Sequence, residues 1–364
     1  MIPQELRSTV AAFRRAVRKL PDNPTTQLFC TVESVRAYQL LETVFWEESG
    51  DPIPLIREEF ERLARTLRGL PGQYDQAGYA QRVVQESGSG SKSAAAARDD
   101  VKTVTGELYS SLFTRFSERH YLDEAKELLR QRIERNGIGY DWLRGKKGLD
   151  AGCGGGRYTV ALRQLGAARV TGIDYGRDNV KDARRRIARA SISAVNFRHA
   201  DVLEIPYKDS SFDFAFSNGV LHHTTDPFRG IQELYRVVKP GGYLWIFLYG
   251  AGLWWELMHA LRPLSMRSTR QLTQHVMQLM GYAPNRIFKF MDSLFVPIIE
   301  SYTARQMERM LKRAGFADLT NLPRCVDMPH FRGVNELLGE GGAHAAQRWG
   351  AGELRYLARK RDKG

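Results

Sequence analysis

The stretch Gly148-Leu149-Asp150-Ala151-Gly152-Cys153-Gly154-Gly155-Gly156-Arg157 constrains this chain more than any other. An apolar start, an acid and a run of glycines open into Tyr158-Thr159-Val160-Ala161-Leu162, which reads as strand, tight turn and helix. Gly152, Gly154 and Gly156 let the backbone take positive φ and approach a ligand with no Cβ between them. The helix that follows begins with unpaired N–H groups and a partial positive charge, which suits the anionic end of a ligand. Ordinary turns contain glycine too, so the cluster gains its meaning from the residues downstream.

Those residues form a series. Val170-Thr171-Gly172-Ile173-Asp174 is a second apolar run ending in an acid, at the βαβ distance where a carboxylate meets the two hydroxyls of a ribose. Asn196-Phe197-Arg198-His199-Ala200-Asp201-Val202 is a third such run, and Phe212-Asp213-Phe214-Ala215-Phe216-Ser217-Asn218 leads into Gly219-Val220-Leu221-His222-His223-Thr224. Strands are expected at 148–151, 169–174, 195–199, 212–217 and 242–249, with helices at 157–165, 177–190 and 227–237 between them. Strict alternation calls for a parallel sheet covered by helices on both faces, with all the strand ends on one ligand-binding edge.

Together with Val237-Val238-Lys239-Pro240-Gly241-Gly242, these motifs resemble the class I S-adenosylmethionine-dependent methyltransferases, and within them the ubiquinone/menaquinone-biosynthesis group. The likeness covers residues about 120 to 250 and is thin outside them. A dinucleotide oxidoreductase fits less well, because the glycines here follow a leading Asp150. The resemblance implies an α/β fold: a doubly wound, mostly parallel, seven-stranded Rossmann-like sheet. Its last helix corresponds to Ser301–Phe316, with a Thr cap and a Gly stop. Strands near 317–322 and 353–358 complete an antiparallel edge.

The resemblance also implies S-adenosylmethionine as cofactor and distributes its parts. Asp150 would orient the loop and meet the methionine amine, and Gly152 and Gly154 would lie under methionine and ribose. Asp174 would take the ribose hydroxyls, with Tyr175 beside it. Asp201 would accept from the adenine amine, and the Val202 N–H would face the ring. Asn218 and Gly219 would contact the methionine end, which Tyr121 would touch unless it is simply a core aromatic. His222 and His223 follow the fourth strand, where the methyl group points. Either is a candidate catalytic base with a suitable pKa, and either can instead pack or cap the helix begun by Thr224-Thr225-Asp226-Pro227. Tyr249, at the end of the fifth strand, is the third catalytic candidate, as a residue holding the acceptor. No metal is expected.

Outside this core the sequence says less. Residues 1–86 carry helical periodicity, as in Leu6, Val10, Phe13 and Val17, and read as an accessory helical domain. Residues 87–100 are a Ser/Gly/Ala linker of natural or engineered origin. Residues 101–364 are then the catalytic domain, with 250–300 inserted after the fifth strand as a lid. There Trp254, Trp255 and Met258 either pack as core, roof the acceptor or rest on an anionic membrane surface.

Three dispersed cysteines show no metal spacing, no apolar run reaches the ~18 residues of a membrane span, and no secretory signal opens the chain. Cytoplasm is the expected address. The net charge of +13 sits in clusters such as Arg184-Arg185-Arg186, read as solvated surface. No aromatic-glycine pattern accompanies them, which argues against nucleic acid. The expected partner is a small-molecule acceptor that is aromatic, quinone-like or a natural product. A lipid headgroup at a membrane, RNA or peptide methylation, and a non-catalytic cofactor-binding module are the alternatives. The N-terminal helices offer a surface for a homodimer.

Overall fold

The computed structural model describes residues 2–46, 51–75, 98–113, 116–323 and 353–362. Most of the expected linker and Cys325 lie outside them. The chain divides into two compact units, 1–97 with 252–295 and 98–251 with 296–364. No described helix is long and apolar enough to cross a membrane.

The first unit is helical: α1 (Gln4–Arg18), α2 (Pro24–Trp46), α3 (Ile53–Asp75), then α9 (Leu253–Ser265), α10 (Arg270–Leu279) and α11 (Pro284–Leu294). The periodic face of α1 is buried as expected, and its Phe13 meets Phe60 of α3 edge-on at 5.2 Å. Between α2 and α3 the buried Glu59 receives Arg36 through both carboxylate oxygens at 2.8 Å and Arg62 at 3.0 Å. The charge is thus compensated where it would otherwise be costly.

The structure redraws two of the expected boundaries. Residues 252–295 group with the N-terminal helices and not with the sheet. The reason is side-chain packing: Trp254 lies on Tyr38 and Phe45 at 5.6 and 5.4 Å, and Tyr38 lies on Phe290 at 5.0 Å. Trp255 and Met258 are buried as well. The aromatic stripe therefore forms core of the helical unit. The expected linker also ends early, because a helix already begins at Arg98.

The second unit opens with α4 (Arg98–Phe113), a π-helical turn at His120–Glu124 and α5 (Ala125–Arg135). Then come β1 (Lys147–Ala151), α6 (Arg157–Gln164), β2 (Arg169–Asp174), α7 (Arg177–Arg189), β3 (Val195–His199), β4 (Phe212–Asn218), α8 (Pro227–Val237) and β5 (Val238–Tyr249). After the helical excursion follow α12 (Ala304–Ala314), β6 (Phe316–Asn321) and β7 (Glu353–Lys360). The sheet has seven strands in the order β3-β2-β1-β4-β5-β7-β6, and β7 runs against its neighbours. This is the expected doubly wound architecture.

Both faces are covered, which a parallel sheet requires. Leu149, Ile173, Leu234 and Leu311 belong to one buried cluster, and Leu129, Trp142, Phe216 and Trp245 to the other. Local signals set the helix ends. The Asp226 side chain accepts from Arg229 N at 2.9 Å with Pro227 opening α8, while Thr303 and Gln306 form a capping box on α12 and Gly315 ends it at φ 108°.

Arg184 and Arg185 are exposed, as expected of solvated surface, but Arg186 is not. Arg184 donates to Phe197 O, and Arg186, 13% exposed, pairs with the buried Asp182 at 2.7 Å and donates to Phe116 O. These guanidiniums tie α7 to its surroundings, which the sequence alone does not show.

Candidate cofactor and acceptor site

The glycine loop is shaped by backbone geometry and then fixed by acids. Gly152, Gly154 and Gly156 sit at φ 78°, 52° and 86°, which favour glycine. Gly152 N and Cys153 N both donate to Ile173 O. The Asp174 carboxylate, at the end of β2, accepts from Gly154 N at 2.8 Å, Gly176 N at 2.8 Å and Asn179 Nδ2 at 3.1 Å. A carboxylate has about four acceptor positions, so three donors leave it room for further hydroxyl contact. Burial raises its pKa despite those donors.

Asp150 is sunk below the loop. It is 2% exposed and accepts from Thr159 Oγ1 of α6 at 2.6 Å. Burial pushes its carboxyl up to about 7, with the Thr159 hydroxyl working against the shift and the Asp174 charge adding to it. The strand acid is therefore a strut between β1 and α6. Cys153 is buried, and its thiol is raised by burial, then by Asp174 and Asp150.

At the β3 end, Asp201 takes Leu203 N on Oδ1 at 2.8 Å and Lys102 Nζ on Oδ2 at 2.5 Å. Lys102 comes from α4 and also lies 5.8 Å from the Tyr175 ring, which is tilted against His199 at 5.5 Å. Val202 is buried nearby in the sheet's core cluster. Asn218 ends β4 and accepts from Trp245 Nε1 at 3.3 Å, and Gly219 follows at φ 80°.

Two further contacts from α4 and the π-turn reach the loop. A Cβ on Gly154 would meet the Phe113 ring at 2.3 Å, so that ring lies directly on the loop backbone. Tyr121, on the π-turn, is buried, and its hydroxyl has no hydrogen-bond partner. That hydroxyl stands 2.8 Å from where a Gly156 Cβ would be. π-turns recur at functional sites. Sequence reasoning proposed Tyr121 but missed Lys102, Phe113, Thr159 and Asn179. The polar i+5 offset from Asp174 to Asn179 was the one signal available.

The histidine pair separates into two roles. His223 is fixed by its Nδ1, 2.8 Å from Ile298 O. His222 is fully buried, and neither of its ring nitrogens has a hydrogen-bond partner. Its ring lies 3.8 Å from that of Tyr249, 4.1 Å from that of His223 and 6.0 Å from that of Phe247. Burial first, and the His223 charge second, hold its pKa well below the ordinary histidine value. The structure thus brings His222, His223 and Tyr249 together beside the β4 and β5 ends. Trp254 and Trp255 belong to the helical unit.

The acid-ended, mostly parallel sheet around a positive-φ glycine loop is the arrangement that the resemblance to class I S-adenosylmethionine-dependent methyltransferases implies. Residues 149–246 match the family model described as a methyltransferase domain.

Over 101 residues the chain is 37% identical to the 27-O-demethylrifamycin SV methyltransferase of Amycolatopsis mediterranei (strain S699), covering 28% of this chain and 37% of that protein. It is 35% identical over 101 residues to the demethylmenaquinone methyltransferase of Staphylococcus aureus (strain MRSA252), covering 27% and 41%. The matches span less than half the length of these relatives. A solved structure of Haemonchus contortus phosphoethanolamine N-methyltransferase 2 with S-adenosyl-L-methionine aligns at TM-score 0.43 and 16% identity, over 70% of this chain and 56% of that one.

The residues present suit the cofactor. Asp174 keeps acceptor capacity and the Tyr121 hydroxyl is a buried donor with no partner, while Val220, Phe113 and Phe197 pack against the three positive-φ glycines.

Proposed function

We propose that this domain transfers a methyl group from S-adenosylmethionine to a small-molecule acceptor carrying a hydroxyl or comparable nucleophile. The observation that carries the acceptor half is His222, buried and neutral, with two ring nitrogens that have no hydrogen-bond partner beside the ends of β4 and β5. A buried polar group without a partner is costly, and a substrate hydroxyl relieves that cost. The names of the relatives point the same way, since a demethylrifamycin and a demethylmenaquinone are small molecules.

When bound, S-adenosylmethionine supplies a methyl group on a sulfonium sulfur, which leaves as a neutral thioether. The chain does the rest. Asp174 receives the ribose hydroxyls while pinning Gly154, and Asp201 receives the adenine amine with the Val202 N–H facing the ring. Asp150, Asn218, Gly219 and Tyr121 hold the methionine end. Tyr249 forms a flat wall against which an acceptor ring lies. His222 accepts a hydrogen bond from the acceptor's hydroxyl, keeps the oxygen in line with the methyl group and takes up the proton that the oxygen loses on methylation.

Incubating an extract of the source organism with the full chain and methyl-labelled cofactor tests the acceptor class by mass spectrometry. The expected result is label in a small molecule gaining one methyl. Label confined to RNA, protein or phospholipid contradicts the proposal.

A further inference from the structure

Arg132 on α5, Arg157 at the start of α6 and Arg355 on β7 gather around one phenol. Arg132 Nη1 donates to Tyr158 Oη at 2.6 Å, and the Arg157 guanidinium lies 5.1 Å from the Tyr158 ring and 5.2 Å from that of Phe116. Arg355 is fully buried, with its guanidinium 4.9 Å from the Phe247 ring. Glu353 pairs with Arg355 at 2.5 Å. Two donors remain unused. The Arg157 Nε is buried without a hydrogen-bond partner, and the buried Tyr158 hydroxyl accepts from Arg132 but donates to no described acceptor. Burial raises the Tyr158 pKa, yet the Arg132, Arg157 and Arg355 charges pull it below the ordinary tyrosine value.

We infer that this cluster receives a carboxylate carried by the acceptor, with the acceptor's ring lying along Phe247, His222 and Tyr249. The inference rests on the methyltransferase reading and names the substrate class of the same site: an aromatic acid. The geometry connects the two ends. β7 pairs with β5 so that Arg355 stands opposite Phe247 and Glu353 opposite Tyr249. The Tyr249, His222 and Phe247 rings then form a continuous wall, with Phe247 5.8 Å from Tyr249.

Guanidinium forks match carboxylates in shape and charge, and the unused Tyr158 proton adds a third kind of donor. Arg132 and Arg157, both half-buried, make the contact, and Arg355, paired with Glu353, stands behind them. In the sheet order β7 lies beyond β4 and β5 from the glycine loop on β1. Arg355 thus stands on the β4 and β5 side, whereas Arg157 directly follows Gly156, so the S-adenosylhomocysteine arm of the test separates acceptor from cofactor.

The test uses the full chain saturated with S-adenosylhomocysteine and titrated by calorimetry with benzoate and with neutral benzamide. The expected result is that benzoate binds at least tenfold tighter than benzamide. In Arg157→Met that preference is lost, with S-adenosylhomocysteine affinity unchanged within twofold. Arg157→Lys, which keeps the charge and loses the fork, retains only part of the preference and serves if the methionine variant does not fold. Equal binding of the two probes by the unaltered chain overturns the inference. So does a tenfold loss of S-adenosylhomocysteine affinity in either variant, which assigns the cluster to the cofactor's own carboxylate. A chain that binds no S-adenosylhomocysteine at all instead overturns the methyltransferase reading.

Discussion

Asp174→Ala is expected to abolish useful cofactor binding. Two effects combine. The substitution removes the acceptor proposed for the ribose hydroxyls, and it strips Gly154 N, Gly176 N and Asn179 Nδ2 of their common partner. Hydrogen bonds to a charged group contribute about 1.5–3 kcal/mol each, so losing two of them amounts to a hundredfold or more in affinity. The glycine loop also loses its tie to β2, so the remaining contacts are less well placed. Calorimetry with S-adenosylhomocysteine checks this, with circular dichroism confirming that the variant is folded. A folded variant binding within threefold of the unaltered chain contradicts the role given to Asp174.

His222→Ala has the second large effect and acts on a different quantity. His222 touches no glycine-loop residue in the ring contacts it makes, so cofactor affinity should stay nearly constant while turnover falls about a hundredfold, the usual scale for a positioned base. The pH profile distinguishes it from a packing residue. With the folded pKa held well below the ordinary value by burial and then by His223, the ring stays neutral at neutral pH. Turnover should therefore be flat at and above neutrality and decline only in more acid solution.

Stability follows the same group with a definite sign. As pH falls below about 6.5 the unfolded chain takes up a proton at this position that the folded chain refuses, so the fold is destabilised until the folded pKa is passed. His222→Phe should remove that part of the acid sensitivity in thermal melts. Full turnover in His222→Ala contradicts the assignment.

The sequence made the fold legible because its evidence was local. Strand, glycine turn and helix are adjacent in the chain, and β2 and β3 fall on the expected 169–174 and 195–199. The Thr303 cap and Gly315 stop were visible for the same reason.

What was not legible depends on distant approach. Lys102 reaches Asp201, Phe113 lies on Gly154, and Arg132, Arg157 and Arg355 converge from three separate elements. The stripe at Trp254 announces a buried face, but hydrophobic periodicity does not say what covers it. Tyr38 and Phe45 supply that answer. Nor does the His222-His223 pair show which ring is tied down. Only the Ile298 carbonyl on His223 settles that point.

The central claim is that the glycine loop and its strand-end acids hold S-adenosylmethionine. Titrating the full chain by calorimetry with S-adenosylhomocysteine, and separately with a nicotinamide dinucleotide, tests it most directly. Saturable binding of the former at one site per chain, with no heat from the latter, is the predicted result. Saturable dinucleotide binding with none of S-adenosylhomocysteine contradicts it.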